Sequence, residues 1–354
     1  MSAAPTRRWY NVAVSPRPAP ADADGRRRSS TVARAALAAL LLAGPGCRRA
    51  RAPGDAPAVT GAGGAGGGAR PAGVIAGSVI DSHVHLAYWP VADRLAAAGV
   101  GAAIDLAAPL ADIGGDAPLT MRWAGPMITR PDGYPIDAWD PGGFGVGCAD
   151  RACVEGAIAA AVARGAQVVK LAFGDDGLAR DLAAVAVADA HRRGLPVAAH
   201  ALDDAAARAA ADAGCDLLAH TPVGPLTDAT VAAWRGRAVI STLAAFGGGA
   251  DAIANLRRLR AAGVTVLYGT DLGNARVAGV DGDELRLLAA AGLDGPAIVD
   301  AMTTAPAAYW HLAPLGAAEP GPDATFVILE RDPRRDPSAY LAPVAVYRRG
   351  QRLR

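Results

Sequence analysis

Eight short apolar runs recur along the chain from residue 74 onward: 74–86, 101–108, 122–128, 167–173, 196–202, 216–221, 238–243 and 265–271. Most have the length of a strand buried on both faces, and Ala-rich stretches of helical composition separate them. The stretch 181–194 carries Leu182, Val185 and Ala186 at helical spacing and ends at Gly194-Leu195-Pro196, a stop signal. Strand–helix alternation repeated eight times predicts an α/β chain folded as a (β/α)8 TIM barrel rather than an open sheet. Helical segments then continue to His311. The stretches 321–330 and 344–353 read as two further strands, forming a small C-terminal β unit.

One connection is too long for a plain turn. Residues 129–144 are rich in Pro, Gly and Asp and carry Tyr134, Trp139 and Phe144. Long loops in compact domains are commonly functional. This one follows the third run, which places it over the carboxyl end of a barrel, where such folds keep their sites.

Composition narrows the chemistry. The 354 residues carry a formal net charge of +1, with no basic run in the body of the chain, which argues against a nucleic-acid partner. Of 35 basic residues only Lys170 is a lysine. Where Arg otherwise replaces Lys throughout, a surviving Lys points to a need for a primary amine. The four cysteines, Cys47, Cys148, Cys153 and Cys215, contain no CxxC pair, so a cysteine zinc site is not expected. Cys148 and Cys153 are close enough to form a local disulfide in an oxidising compartment, and Cys215 reads as a small buried hydrophobe.

The first 47 residues read as an export signal. Arg26-Arg27-Arg28 precedes an apolar run from Ala35 to Ala43, too short to span a bilayer comfortably, and then Gly44-Pro45-Gly46-Cys47. The ending resembles a bacterial lipoprotein signal with Cys47 as the lipidated residue, and the Arg run offers a twin-arginine signal as the alternative. Residues 48–73 are a Gly/Ala/Pro-rich linker. The expected organisation is therefore signal 1–47, linker 48–73, barrel 74–315 and β unit 316–354. The expected location is the bacterial periplasm or, through Cys47, the membrane surface.

Candidate chemistry gathers at strand ends. His83 and His85 lie two apart on the first run, so one face of a strand presents both. His200 closes Pro196-Val-Ala-Ala-His, His220 closes Asp216-Leu-Leu-Ala-His, Lys170 lies on the fourth run, and Asp271 ends the eighth. Imidazoles and a carboxylate suit Zn²⁺ and similar first-row ions. An ammonium repels metal ions, so Lys170 is unusual as a ligand. A carbamate formed on it with CO₂ would be an anion able to bridge two metals; binding a substrate carboxylate is the alternative role. His191 and His311 lie away from this rim and read as structural.

With these residues in view, the chain resembles the amidohydrolase superfamily of metal-dependent hydrolases. His83-x-His85, Lys170, His200, His220 and Asp271 match its binuclear pattern in order, over about residues 74–350. The phrases Val168-Val-Lys-Leu, Ala199-His-Ala and Met302-Thr-Thr-Ala-Pro-Ala-Ala-Tyr309 are similar to the imidazolonepropionase-like and prolidase-like branch. The resemblance implies that His83, His85 and Asp271 hold one metal and His200 and His220 a second, both expected to be Zn²⁺, with carboxylated Lys170 and a hydroxide between them. A single-metal site is the alternative. It further implies attack of metal-bound hydroxide on a carbonyl, with Asp271 passing a proton to the leaving nitrogen. Strands ahead of the barrel normally complete a β-sandwich in this family. The linker leaves little room for them, so a reduced appendage is expected.

The expected activity is hydrolysis of a C–N bond in a small substrate such as a dipeptide or N-acyl amino acid. Opening of a cyclic amide, cyclic amidine or lactone is a second enzymatic reading. A surface lipoprotein that binds metal without turnover is the reading from another class. Arg130, Tyr134, Trp139 and Asn274 are candidate substrate contacts by position. A homo-oligomer is compatible with all three.

Overall fold

The computed structural model describes residues 72–136, 138–139, 142–312, 315–316 and 324–354. The export signal, Cys47 and nearly all of the linker lie outside the described residues, as do residues 313–314 and 317–323 on either side of the join between the two expected domains. Among the described residues no helix is long and apolar enough to cross a membrane.

Chain order is β1 (Val74–Gly77), β2 (Val79–Val84), α1 (Ala92–Ala97), β3 (Val100–Asp105), β4 (Thr120–Trp123), β5 (Met127–Thr129), β6 (Gly145–Gly147) and α2 (Arg151–Ala163). Then come β7 (Val169–Ala172), α3 (Arg180–Arg192), β8 (Val197–His200), α4 (Asp204–Ala213), β9 (Leu217–Leu218), α5 (Asp228–Ala233) and β10 (Ala238–Ile240). The chain closes with α6 (Ala250–Ala261), β11 (Thr265–Leu267), α7 (Gly282–Ala290), α8 (Gly295–Met302), α9 (Thr304–Tyr309), β12 (Phe326–Leu329), β13 (Ala345–Arg348) and β14 (Gln351–Arg352). Asp supplies many of the helix starts. Asp150, Asp203 and Asp294 each accept the backbone N–H three residues on, at 2.8–2.9 Å, which satisfies a donor the helix itself leaves open.

Two parallel sheets carry the eight expected runs. One has the order β11-β10-β9-β8-β7-β5-β6 and the other β2-β3-β4. Single parallel bridges link them at two places, Ala124 with Val168 and Val84 with Leu272. The third run proves to be two strands. Gly125-Pro126 interrupts it, so β4 pairs with β3 while β5 pairs with β7 and β6. Proline cannot donate to a ladder, and a Cβ on Gly125 would stand 2.5 Å from the Ala161 Cβ.

Alternation along the strands builds two cores. Val79, Val197, Val239 and Val266 face the helices in a cluster with Val154, Ile158, Val187, Leu256 and Met302. Their neighbours Ile80, Ala198, Ile240 and Leu267 face the other way, packing with Ile104, Val168 and Leu217. Trp310 and Leu312, just beyond α9, join this inner cluster, and the Trp310 Nε1–H donates to the Ser82 hydroxyl at 3.1 Å.

The first run also divides. Ser78 separates β1 from β2, and β1 leaves the parallel strands to pair antiparallel with β12 in a sheet of order β1-β12-β13-β14. The single strand expected over 74–86 is therefore corrected to two, and the C-terminal sheet takes one strand from ahead of the main body. The strand expected over 344–353 is likewise a hairpin. Arg349 (φ 46°) and Gly350 (φ 72°) turn the chain between β13 and β14, the backbone of a tight primed turn. Tyr340 ties this sheet to the main body, its buried hydroxyl donating to the Gly77 carbonyl at 3.0 Å.

Trp310→Ala removes the largest side chain of the inner cluster and strands the Ser82 hydroxyl. Such truncations cost about 3–5 kcal/mol, so urea unfolding of the variant is expected to show a loss of that order; a loss under about 1 kcal/mol would mean that Trp310 is not packed as described.

Candidate metal centre

The centre begins with an irregularity in β2. Ile80 pairs with Ala102 and Asp81 with Ala103, but the next partner of Asp105 is Val84, so β2 carries one extra residue. A bulge of this kind reverses the facing of every later side chain. Val79 and Val84 stand an odd number of positions apart, yet both pack in the outer cluster. Ile80 and Ser82 face inward before the bulge, and His83 and His85 face inward after it. Strict alternation from Ile80 would have pointed both histidines away.

Asp81 fastens the bulge. Its buried carboxylate accepts the His83 N–H (3.2 Å), the Thr270 N–H (3.0 Å) and the Thr270 hydroxyl (2.6 Å), joining β2 to the segment after β11. Burial raises its pKa to about 7 against the pull of those bonds. The same approach leaves no room for side chains opposite. A Cβ on Gly269 would lie 2.3 Å from Ile240 Cγ2 and 3.1 Å from His83 Cβ, and one on Gly273 (φ 118°) would lie 2.7 Å from His85 Cβ.

Asp271 completes a triad of ligand atoms. His85 Nε2 is 3.0 Å and His83 Nε2 3.5 Å from Asp271 Oδ1, and the two Nε2 atoms are 3.2 Å apart. All three groups are buried and their ligand atoms lie within 4.8 Å of one another. His83 Nδ1 can only donate to the Ala219 carbonyl, 2.8 Å away, which leaves the Nε2 lone pair facing the centre. Asp271 adopts a left-handed backbone (φ 55°), which Asp tolerates better than most residues, and Thr242 opposite does so too (φ 40°).

His200, His220 and Lys170 converge on the triad. Ring centroids are 4.6 Å apart for His83 and His220 and 4.9 Å for His200 and His220. The His220 Nδ1 meets the Thr242 hydroxyl at 3.1 Å. Both ring nitrogens of His200 and the Lys170 Nζ are buried with no hydrogen-bond partner, and so is the His85 Nδ1, whose nearest acid is Asp105 at 3.9 Å. Burial drives His200 down to about 3 and holds His83 and His220 well below the usual imidazole range, so these rings are neutral, as metal ligands must be. Burial also lowers Lys170 to about 7, with Asp271 and Asp105 pulling the other way.

Buried polar atoms without partners are rare in folded proteins. Here they gather beside the Asp271 carboxylate: in the neutral form each ring of His83, His85, His200 and His220 has one lone pair to give, and with the carboxylate these form a donor set that a divalent cation satisfies. On this ground the residues fit a metal.

Aromatic rings surround the centre. Tyr134 stacks on His200 at 4.6 Å and Trp139 meets His85 edge-on at 4.6 Å, while Tyr88 and Phe144 pack on Trp139 at 5.2 and 5.5 Å. The long connection after β5 therefore does reach the centre. Phe246 packs on His220 at 4.9 Å, and the Ala244 N–H of its turn donates to Glu284 Oε2 at 2.7 Å. The Cys148–Cys153 disulfide lies just past β6, and the Cys148 N–H donates to the Thr129 carbonyl at 2.8 Å, pinning the end of the connection to β5.

Two sequence candidates have other partners. Arg130 forms an exposed ion pair with Asp176. Asn274 donates its amide to both oxygens of Asp271, each at 3.2 Å, and so orients that carboxylate. Sequence reasoning passed over Arg276, whose guanidinium lies 5.0 Å from the Trp89 ring and 6.0 Å from the Tyr88 ring, with no ion pair among the described residues. Asp81, Thr270 and Asp105 were also passed over, although the acid two residues ahead of His83 was a visible signal.

No protein-family model and no curated protein matches the sequence. Solved structures match in shape. A Xaa-Pro dipeptidase with methionine bound in its active site superposes with a TM-score of 0.67 at 17% identity, covering 78% of this chain and 86% of its own. A Bifidobacterium longum structure described as a prolidase gives 0.66 at 21%, covering 79% and 81%. Aspergillus niger ochratoxinase gives 0.62 at 18%, covering 79% and 83%. The structural neighbours are thus amidohydrolases and prolidase-like proteins, and at these identities the likeness establishes the fold.

Asp81→Asn turns one of the two accepting oxygens into an NH₂, set against either the Thr270 hydroxyl or the two N–H donors, and loosens the bulge that aims His83. Supporting residues of this kind typically change metal affinity 10–100-fold, so chelator competition is expected to show roughly that weakening; unaltered affinity would remove Asp81 from the account of the site.

Proposed function

We propose that the chain is a metal-dependent amidohydrolase that cleaves an amide or peptide C–N bond in a small substrate such as a dipeptide or N-acyl amino acid. The observation that carries this reading is the set of unpartnered buried donors at His200, Lys170 and His85 beside the His83–His85–Asp271 triad. In the same reading the two parallel sheets close into a single (β/α)8 barrel, a closure supported by the bridges Ala124–Val168 and Val84–Leu272. The centre then lies at the carboxyl ends of the strands, where barrel enzymes keep their chemistry.

His83, His85 and Asp271 would hold one divalent ion and His200 and His220 another, with Lys170 carboxylated between them; Zn²⁺ suits this donor set. Such ions, when bound, supply a water deprotonated near neutral pH and polarise the substrate carbonyl. Lys170 favours carboxylation because its Nζ has no hydrogen-bond partner and burial favours the neutral amine, the form that adds CO₂. Asp271 accepts the proton of the attacking water and returns it to the nitrogen as the C–N bond breaks, giving an acid and an amine. Asn274 holds the carboxylate in place for both transfers.

The rings of Tyr134, Trp139 and Phe246 give the substrate apolar walls. Arg276 is the better candidate for a free substrate carboxylate, because Arg130 is already paired with Asp176. The Cys148–Cys153 disulfide supports an oxidising compartment and hence export.

Screening metal-loaded protein against dipeptides and N-acyl amino acids is expected to reveal turnover. Asp271→Asn should then lower kcat about 10²–10⁴-fold, and unchanged activity would overturn the assigned proton transfers. Lys170→Arg puts a permanent cation where the carbamate would be and cannot form one, so metal analysis is expected to show loss of bound ion; full occupancy with full activity would exclude carboxylation. Arg276→Ala is expected to raise KM roughly tenfold or more for substrates with a free carboxylate, a charge-assisted contact. The same substrates with the carboxylate amidated should be insensitive, and equal sensitivity of the two sets would remove Arg276 from recognition.

A further inference from the structure

A cavity open to solvent lies at the other end of the strands. Its volume is about 790 Å³, and it is lined by Arg122, Gln167, His191, Asp216, Tyr309 and His311, among others. Gln167 precedes β7, Pro196 precedes β8 and Asp216 precedes β9, so this is the amino-terminal side, whereas His200 and His220 lie at or beyond the carboxyl ends of β8 and β9. The inner cluster, with Trp310 and Leu312 in it, lies between the two ends.

The polar groups there are unevenly satisfied. Arg122 reaches only main-chain carbonyls, those of Trp310 and His311 at 3.5 and 3.4 Å, and has no carboxylate partner among the described residues. The Tyr309 hydroxyl is buried with no hydrogen-bond partner. Burial, reinforced by the Asp216 charge, pushes its pKa up, so it offers a proton and not a negative charge. Gln167 spends its carbonyl oxygen on the Trp123 N–H at 2.9 Å, leaving its amide NH₂ as a donor. Asp216 accepts from the Val197 N–H at 2.7 Å and pairs with His191 at 2.9 Å through the same oxygen. Leu195, Pro196 and Trp310 give the cavity an apolar wall.

We infer that this cavity is a binding site for a small organic monocarboxylate, separate from the metal centre, with Arg122, the Tyr309 hydroxyl and the Gln167 amide as its donors. A carboxylate matches the planar fork of an arginine, and the Leu195–Pro196–Trp310 wall receives a carbon body. A dianion is disfavoured because the Asp216 carboxylate faces the same space. The site does not depend on the reaction proposed for the carboxyl ends.

Isothermal titration of the full, metal-loaded chain with acetate, butyrate and benzoate tests this, with inorganic phosphate as the dianion arm. Saturable binding of at least one monocarboxylate at one site per chain is expected. Tyr309→Phe keeps the ring and removes one donor, and is expected to weaken binding several-fold. Arg122→Gln should weaken it at least tenfold. Neither variant should change turnover, since neither residue is part of the metal centre. Three results would each overturn the inference: no saturable binding of any carboxylate, tighter binding of phosphate than of every carboxylate, or undiminished binding in both variants, which would place the ligand on the metals.

Discussion

One extra residue in β2 decides which face of that strand meets the centre. Side-chain facing in a strand has a period of two, so an insertion between Asp81 and Val84 exchanges the two faces from that point on. The exchange lets a single strand contribute Ile80 and Ser82 to the inner packing and then His83 and His85 to the site. A bulge leaves ladder groups unpaired and must be held from outside the strand. Asp81 holds it, taking three hydrogen bonds, one from His83 within β2 and two from Thr270 that bind β2 to the turn carrying Asp271. The two histidines and the carboxylate are therefore placed by one shared anchor.

The cluster built on that anchor is costly as a purely protein structure. Four imidazoles, an amine and a carboxylate are removed from water, and several of their polar atoms have no partner. An unpaired buried polar group costs about 1–3 kcal/mol. The strands around it are short and the side chains between them mostly Val, Leu, Ile and Ala, so little can move to satisfy these groups from within. A bound cation relieves the arrangement in one step, by accepting lone pairs that otherwise face one another. Metal occupancy and the stability of the carboxyl end of the fold should accordingly be coupled.

Much of this was legible in the sequence because strand and site share a pattern. The eight apolar runs each contain or adjoin an observed strand, and His200, His220 and Asp271 could be placed at a common rim from strand ends alone, with Lys170 on the fourth run beneath them. The parity of β2 was not legible, since a bulge has no composition of its own; the histidine spacing pointed to a shared face without saying which. The breaks at Ser78 and Gly125-Pro126 were hidden for a related reason, because apolar residues continue on both sides while the pairing partner changes. Individual partners lay further out of reach. Arg130 lies 46 residues from Asp176 and is neutralised by it, whereas Arg276 rests on Trp89 and Tyr88 and keeps its charge unpaired among the described residues. Sequence position made the first the more obvious candidate and the fold favours the second.

His191 and His311 show the limit of reading residues by their distance from one site. Both lie away from the metal centre, as expected, and His191 does pair with Asp216 in a structural manner. Yet the fold gathers them with Arg122, Gln167 and Tyr309 around a cavity at the opposite end of the strands. Strands that run parallel bring all their amino ends to one side, so any polar residue just ahead of a strand is delivered to the same place. The same geometry that collects ligands at one rim collects donors at the other. The difference lies in how the charges are balanced: neutral imidazoles beside a carboxylate suit a cation at the carboxyl ends, and an arginine with no carboxylate partner among the described residues suits an anion at the amino ends.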